Sequence, residues 1–372
     1  MREYLLVFLV AAAITYLLTG ACRVVALRVG AVAKVRDRDV HTIPIPYFGG
    51  VAMLFGVGAA MMLAVNLPWL GRHVGVRYDT YAVLAGAVII VIVGVLDDLF
   101  DLNALAKFAG QICAAAVVVG LGVKMLWIPL PNAIISLDNA ASTAVTVFFV
   151  VLCSNAVNFV DGLDGLATGV VGIGAVAFFL YSYYLSSEQH LVLATTSSVI
   201  TVALAGICAG FLPHNFSPAR IFMGDSGALL LGLLLATSTI SLTGQMDSAQ
   251  VQQASDLIPA YLPLVLPLAI LALPFLDLTL AVVRRTFAGR WWFVADKKHI
   301  HHRLLERGHS QRRAVLLMYV WSALISGTVV AAGLMRTWWV LVAAVVLAGI
   351  LTAFTVRSPR QADRTAADHV KV

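Results

Sequence analysis

Two acids, Asp161 and Asp164, stand among glycines in the run Asn155-Ala156-Val157-Asn158-Phe159-Val160-Asp161-Gly162-Leu163-Asp164-Gly165-Leu166-Ala167-Thr168-Gly169. At a helix end they would share one face about one turn apart, and Gly162 and Gly165 would let a ligand approach the backbone closely. Ionisable residues within apolar sequence mark functional sites. A second group, Asp97-Asp98 with Asp101, precedes Lys107 and Gln111, spaced i, i+4 for one helix face. Adjacent carboxylates raise one another's pKa unless a cation lies beside them. The pair therefore fits a divalent metal, a nearby Lys, or an acid acting as a base; as plain structure it would be a solvated loop at a membrane edge.

The third group is Pro213-His214-Asn215-Phe216-Ser217-Pro218-Ala219-Arg220-Ile221-Phe222-Met223-Gly224-Asp225-Ser226-Gly227. Asp225 falls between two glycines at an expected helix start, where free backbone N–H groups attract phosphate and a carboxylate could hold Mg²⁺. It could equally be a plain N-cap; with the other acids nearby, the ligand role is favoured. The fourth group is Asp296-Lys297-Lys298-His299-Ile300-His301-His302-Arg303-Leu304-Leu305-Glu306-Arg307-Gly308-His309. A helix there would set His299 and His302 on one side near Arg303, a donor-rich face for a phosphate or pyrophosphate. Zinc is disfavoured, because no matching Cys/His set exists and the neighbouring Lys and Arg repel a cation. Membrane-surface binding is the alternative for Lys297, Lys298, Arg303 and Arg307, and Trp291-Trp292-Phe293 reads as an interfacial anchor.

What must position these groups is a membrane bundle. Of 372 residues, 60% are hydrophobic and 12% charged, about half the charge of a soluble domain. Hydropathy predicts an all-α polytopic fold of about eleven spans, near 4–27, 48–67, 81–96, 105–123, 143–159, 166–185, 191–211, 226–243, 258–283, 314–333 and 338–356. The first is read as a retained span, because it exceeds a signal core and its positive charges follow it. With the N-terminus outside, the inner segments, counting Lys107 at the inner end of the fourth span, carry nineteen Lys and Arg against five in the outer ones, which predicts a cytoplasmic C-terminus. All the acid groups above then face the cytoplasm. The net charge of +6 reflects this orientation and anionic headgroups; no nucleic acid is expected as a partner. Cys22, Cys113, Cys153 and Cys208 read as small core residues, without metal-ligand spacing. Residues 1–357 form one membrane domain, and 358–372 a polar cytoplasmic tail expected to be disordered. Pro259, Pro263, Pro267 and Pro274 predict a broken ninth helix. His41-Thr42-Ile43-Pro44-Ile45-Pro46-Tyr47-Phe48-Gly49-Gly50 predicts a stiff turn into a closely packed helix start.

Together these groups resemble the polyprenyl-phosphate N-acetylhexosamine-1-phosphate transferase family, with its WecA-type and MraY-type members. The resemblance rests on His41…Pro44…Pro46…Gly49-Gly50, Asp97-Asp98 with Lys107…Gln111, the Asn155–Gly169 run, Asn215…Gly224-Asp225 and the His299 cluster. It implies transfer of a sugar-1-phosphate from a UDP-N-acetylhexosamine to a polyprenyl phosphate, with UMP leaving and Mg²⁺ required, Mn²⁺ serving as a substitute. A homodimer is allowed for. By motif position Asp225 would ligate the metal, with Asn215 beside it, and Asp97 or Asp98 would be the base. Asn158, Asp161 and Asp164 would bind the nucleotide-sugar, while Lys107, His299, His301, His302 and Arg303 would hold phosphate oxygens. The interrupted run His299-Ile300-His301-His302 looks like that of WecA-type members, whose donor is UDP-N-acetylglucosamine; MraY-type members, which take UDP-MurNAc-pentapeptide, share an unbroken His-His-His run. UDP-GalNAc is a further alternative. The Lys or Arg that many relatives carry before Pro44 is replaced by Thr42-Ile43. A CDP-alcohol phosphotransferase is disfavoured because its longer acidic spacing is absent around Asp161. An ion-coupled transporter using Asp161 and Asp277 would need polar residues at mid-depth in several spans, whereas here they gather at one face.

Overall fold

The eighth apolar run, 226–243, becomes the buried axis of the computed structural model. The structure describes residues 1–32, 44–130, 133–188, 194–243, 258–270, 309–335 and 337–356, with single positions at 191, 272 and 286. They form α1 (Arg2–Val29), α2 (Gly49–Asn66), α3 (Val74–Phe100), α4 (Ala104–Gly120), α5 (Asn139–Val160), α6 (Leu166–Ser187), α7 (Ala194–Asn215), α8 (Gly224–Thr243), α9 (Ile258–Ile270), α10 (Gln311–Met335) and α11 (Trp339–Val356). Eight of these are long and apolar enough to cross a bilayer, and α4 and α11 are shorter apolar helices. The protein is thus an α-helical, multi-pass membrane protein. The expected stretch 271–283 of the ninth span and the tail from 358 lie outside the described residues, apart from position 272.

A helix that is apolar on every side belongs in the middle of a bundle. α8 obeys this: its apolar window is fully buried, enclosed by α3, α5, α7 and α2. α7 is nearly as buried, between α1 and α6, whereas α1, α3 and α10 leave apolar faces outward, as lipid-facing helices do. Small residues make the central contacts possible. A side chain at Gly94 of α3 would run into the backbone of Ser226, and one at Gly50 of α2 into Gly227. α3 is also fastened to α8 at its far end, where the Ser241 hydroxyl donates to Oδ2 of the buried Asp79 at 2.7 Å.

Two expectations are corrected. α3 continues to Phe100, so Asp97 and Asp98 lie in its last turn and not beyond it; near water a helix need not stop where the hydrocarbon does. Among the described residues the all-α expectation holds apart from one short hairpin. Trp127–Leu130 and Ala133–Ser136 pair antiparallel between α4 and α5, with Trp127 opposite Ser136, where β-favouring Trp and Ile meet turn-forming residues. Of the four cysteines, Cys153 and Cys208 are buried, but Cys113 is exposed on α4, a lipid-compatible position for an apolar residue.

The Gly94 contact yields a measurable expectation. Gly94→Val should lower the thermal unfolding midpoint of detergent-solubilised protein, since overpacking costs about 1–3 kcal/mol. Gly58→Ala, placed where an added Cβ meets nothing, is the control and should leave the midpoint in place. Equal midpoints for Gly94→Val and wild type would show that α3 and α8 are not in van der Waals contact there.

Candidate functional site

One end of the bundle collects the acids: the last turn of α3, the first of α4, the last of α5, the α5–α6 turn and the first turn of α8. The centre is Lys107, on a helix started by Asn103, whose side chain accepts from the Ala106 N–H at 2.8 Å. The Lys107 ammonium donates to Asp97 Oδ2 at 3.0 Å and pairs with Asp225 Oδ2 as well. The side-chain amide of Asn158 completes this knot, donating to Asp225 Oδ1 at 3.0 Å and accepting from Lys107 Nζ at 3.1 Å. That amide orientation is assigned by hydrogen-bond logic, since it pairs donors with acceptors on both sides. One turn earlier on α5, Asn155 Nδ2 donates to Gln111 Oε1 at 2.6 Å, and Gln111 is itself buried. The i, i+4 spacing thus places Lys107 and Gln111 on one face of α4, both clasped to α5.

The adjacent acids of α3 have different tasks. Asp98 turns inward and accepts from the backbone N–H of Asp225 at 2.8 Å, from the Ser226 N–H at 3.4 Å and from the Ser226 hydroxyl at 3.1 Å. It caps α8 from a neighbouring helix, so the N–H groups expected to be free for phosphate are already engaged there. Asp97 turns to Lys107. Gly224, at φ 68°, is the residue that lets this cap close: a Cβ there would collide with the Asp98 carboxylate.

The segment before α8 is held from several sides. Gly49 and Gly50 donate to the carbonyls of Phe222 and Met223, both at 3.0 Å, and the Phe222 N–H donates to the Pro46 carbonyl at 2.9 Å. The stiff Pro44–Gly50 turn is therefore the support on which Asp225 rests. Asp164 Oδ2 accepts from the Ala219 N–H at 3.0 Å. Asn215 is buried; its Oδ1 accepts from the Gly165 N–H at 3.1 Å and the Thr168 hydroxyl at 3.0 Å, and its Nδ2 donates to the Ile221 carbonyl at 3.2 Å. The amide set against Asp225 is that of Asn158.

The expected helical pairing of Asp161 and Asp164 is corrected too. Asp161 is the C-cap of α5, and Asp164 lies in the turn that reaches α6 through Gly165 at φ 78°. Burial pushes the Asp161 carboxyl up to about 7, aided by the negative charges of Asp98 and Asp164. α10 closes this side: the Tyr319 hydroxyl donates to the Gly165 carbonyl, and Arg312 Nε donates to the Ser217 carbonyl at 2.8 Å. These two contacts were not foreseen, because nothing in Arg312 or Tyr319 distinguishes them locally from an inner-loop charge and a helix aromatic. His41, Asp277, Asp296, Lys297, Lys298, His299, His301, His302, Arg303 and residues 291–293 lie outside the described residues.

Chemically, the knot combines hard oxygen donors with one ammonium at the end of an apolar bundle. No three His, Cys, Asp or Glu side chains form a ready-made cage among the described residues. Mg²⁺ does not require one, because it retains waters and binds through one or two carboxylates together with substrate phosphates. Asp225, with its side chain 23% exposed, and the adjacent Asn158 amide supply that kind of partial donor set.

Comparison with known proteins places the chain in a family. Residues 80–243, which span α3 to α8, match the family described as Glycosyl transferase family 4. The decaprenyl-phosphate N-acetylglucosaminephosphotransferase of Mycobacterium tuberculosis is 48% identical over 332 residues, covering 88% of this chain and 81% of the relative. The undecaprenyl-phosphate alpha-N-acetylglucosaminyl 1-phosphate transferase of Yersinia pestis is 28% identical over 347 residues, 90% and 86% of the two chains. A phospho-N-acetylmuramoyl-pentapeptide-transferase of Desulforudis audaxviator is 30% identical over 305 residues, 76% and 82% of the two chains. The chain belongs to this family of polyprenyl-phosphate N-acetylhexosamine-1-phosphate transferases.

The raised Asp161 pKa has a definite sign. A folded value near 7 against 3.8 for the ordinary group means the folded protein binds the extra proton between those values. The associated stability is complete below about pH 4 and is lost as pH rises through 7. Asp161→Asn should therefore gain thermal stability over wild type progressively from pH 4 to 7, with a constant margin above. A margin independent of pH across that window would refute the burial of this carboxyl.

Proposed function

We propose that the protein transfers N-acetylglucosamine-1-phosphate from UDP-N-acetylglucosamine to a polyprenyl phosphate, releasing UMP and forming polyprenyl-diphosphate-N-acetylglucosamine. The observation that carries this is the Lys107 knot, a meeting of one ammonium with Asp97, Asp225 and Asn158 where four helix ends converge. The names of the mycobacterial and Yersinia relatives supply the sugar, and the interrupted His299 run supports it. The active site faces the cytoplasm of a bacterial inner membrane, with the N-terminus outside, on the strength of the Lys and Arg distribution.

The reaction joins two anions, one water-soluble and one lipid, so positioning and charge compensation are the main tasks. An acceptor phosphate oxygen attacks the donor phosphorus nearest the sugar. The bond from that phosphorus to the bridging oxygen breaks, and UMP departs with the electron pair. Asp97, facing Lys107 while Asp98 is committed to α8, is the acid placed to take a proton from a singly ionised acceptor. Lys107 holds phosphate oxygens, and Asp161 and Asp164 line the turn that receives the nucleotide-sugar. Asp225 and Asn158 would hold Mg²⁺, which when bound offsets the negative charge of the two phosphates. Their facing atoms are 3.0 Å apart. Turning the amide over would present its oxygen to the ion.

Purified protein supplied with decaprenyl phosphate and Mg²⁺ should release UMP from UDP-N-acetylglucosamine. Asp225→Asn should reduce this by about 100-fold or more. UMP release from UDP-MurNAc-pentapeptide alone would overturn the sugar assignment. A reporter enzyme fused at Ser310 should be active only when cytoplasmic folding is required for its signal; activity confined to the outer side would reverse the orientation.

A further inference from the structure

Lys107 occupies an unusual place for a phosphate-binding side chain. Its side chain is 18% exposed and its ammonium already engaged by three oxygen-bearing groups, Asp97, Asp225 and Asn158. Asp225 is engaged on both oxygens, Oδ2 by the ammonium and Oδ1 by the Asn158 amide. A divalent cation on this carboxylate would stand within a few ångströms of the ammonium, in a partly buried region where like charges repel more than in bulk water. The two cations therefore compete for Asp225.

The surroundings allow this competition to resolve by a short movement of one head group. The base of Lys107 is fixed, since α4 is clasped to α5 one turn later by Gln111 and Asn155. Its four-carbon stem is flexible, and its ammonium is a point charge that needs no particular orientation. Asp97, on a different helix from Asp225, holds the ammonium at 3.0 Å and limits how far the head group swings. Without any cation, Asp97 and Asp225 would face one another beside the capping carboxylate of Asp98, an arrangement that carboxylates resist.

Resting on the reading of Asp225 as a metal ligand, we propose that Lys107 is a built-in counter-ion of Asp225, whose ammonium is handed to a substrate phosphate when a divalent cation takes that carboxylate. The exchange makes metal uptake and phosphate uptake mutually dependent. The ammonium leaves Asp225 readily only when another anion receives it, so metal alone binds weakly, and metal with a diphosphate binds well.

The test is Mn²⁺ binding to the full-length protein in detergent, read from the electron paramagnetic resonance of the free ion, with no nucleotide or lipid present. Lys107→Gln and Lys107→Met should each bind Mn²⁺ at least about tenfold more tightly than wild type. In EDTA each should unfold at a lower temperature than wild type, and Mg²⁺ should close the gap. Binding by both variants equal to or weaker than wild type overturns the exchange. Asp225→Asn is measured in parallel. Weakened binding there supports the metal assignment, so that an unaltered Lys107→Gln beside it isolates a failure of the exchange; unaltered binding there overturns the assignment and the exchange with it. Should neither Lys107 variant fold, isotope-labelled lysine in wild type serves instead. The Lys107 head-group resonance, assigned with Lys107→Arg, should move when Mg²⁺ is added, and a resonance unmoved at saturation overturns the proposal.

Discussion

The bond from Asp98 to the start of α8 is the constraint from which the rest of the site follows. The first N–H groups of a helix lack internal partners and carry a partial positive charge, and inside a membrane bundle water is not available to satisfy them. Asp98 supplies the acceptor from α3, through the N–H groups of Asp225 and Ser226 and the Ser226 hydroxyl. With its backbone held inward, Asp225 presents its carboxylate to Lys107 and Asn158. Gly94, Gly224 and Gly50 serve the same contact by leaving the space it needs. The acid pair of α3 is thus divided, Asp98 to the start of α8 and Asp97 to Lys107.

Charge balance shapes the remainder. Asp97, Asp98, Asp161, Asp164 and Asp225 gather at one bundle end, and both ion pairs described within the site run through Lys107. The Asp161 carboxyl, without an ion-pair partner among the described residues, responds by holding its proton to about pH 7. Asp164 and Asn215 are committed to shaping the walls, Asp164 through Ala219 and Asn215 through Gly165, Thr168 and Ile221. Walls held by such hydrogen bonds suit a reaction in which positioning is most of the work.

Much of this was legible in the residues themselves. Hydropathy located the described helices because a span must be apolar whatever it packs against, and the acids were conspicuous for being costly in such a setting. The i, i+4 spacing of Lys107 and Gln111 correctly put both on one face of α4. What could not be read was partnership across helices. Asp97 and Asp98 are identical in sequence terms, and only the approach of α8 distinguishes them. Asn155, Asn158 and Asn215 all sit in suggestive motifs, yet the depth and rotation of α5 and α7 decide which amide meets Asp225. The helical face imagined for Asp161 and Asp164 failed because Gly165 turns the chain, a tertiary choice that spacing alone does not reveal. The contacts of Arg312 and Tyr319 depend on where α10 returns after a long separation in sequence.

The far end of the bundle has its own bearing on the near one. α3 and α8 are joined twice, by Asp79 with Ser241 at one end and by Asp98 with Ser226 at the other. Asp79 and Asp98 are 19 residues apart along α3, a rise of about 28 Å, close to the roughly 30 Å of a bilayer's hydrocarbon core. The two contacts set the register of α3 against α8 over a length comparable to that core. Where lipid is thicker or thinner than this length, the helix pair tilts or the bilayer deforms at modest cost. Register between the two helices then survives a change of lipid, because both pins lie within the protein.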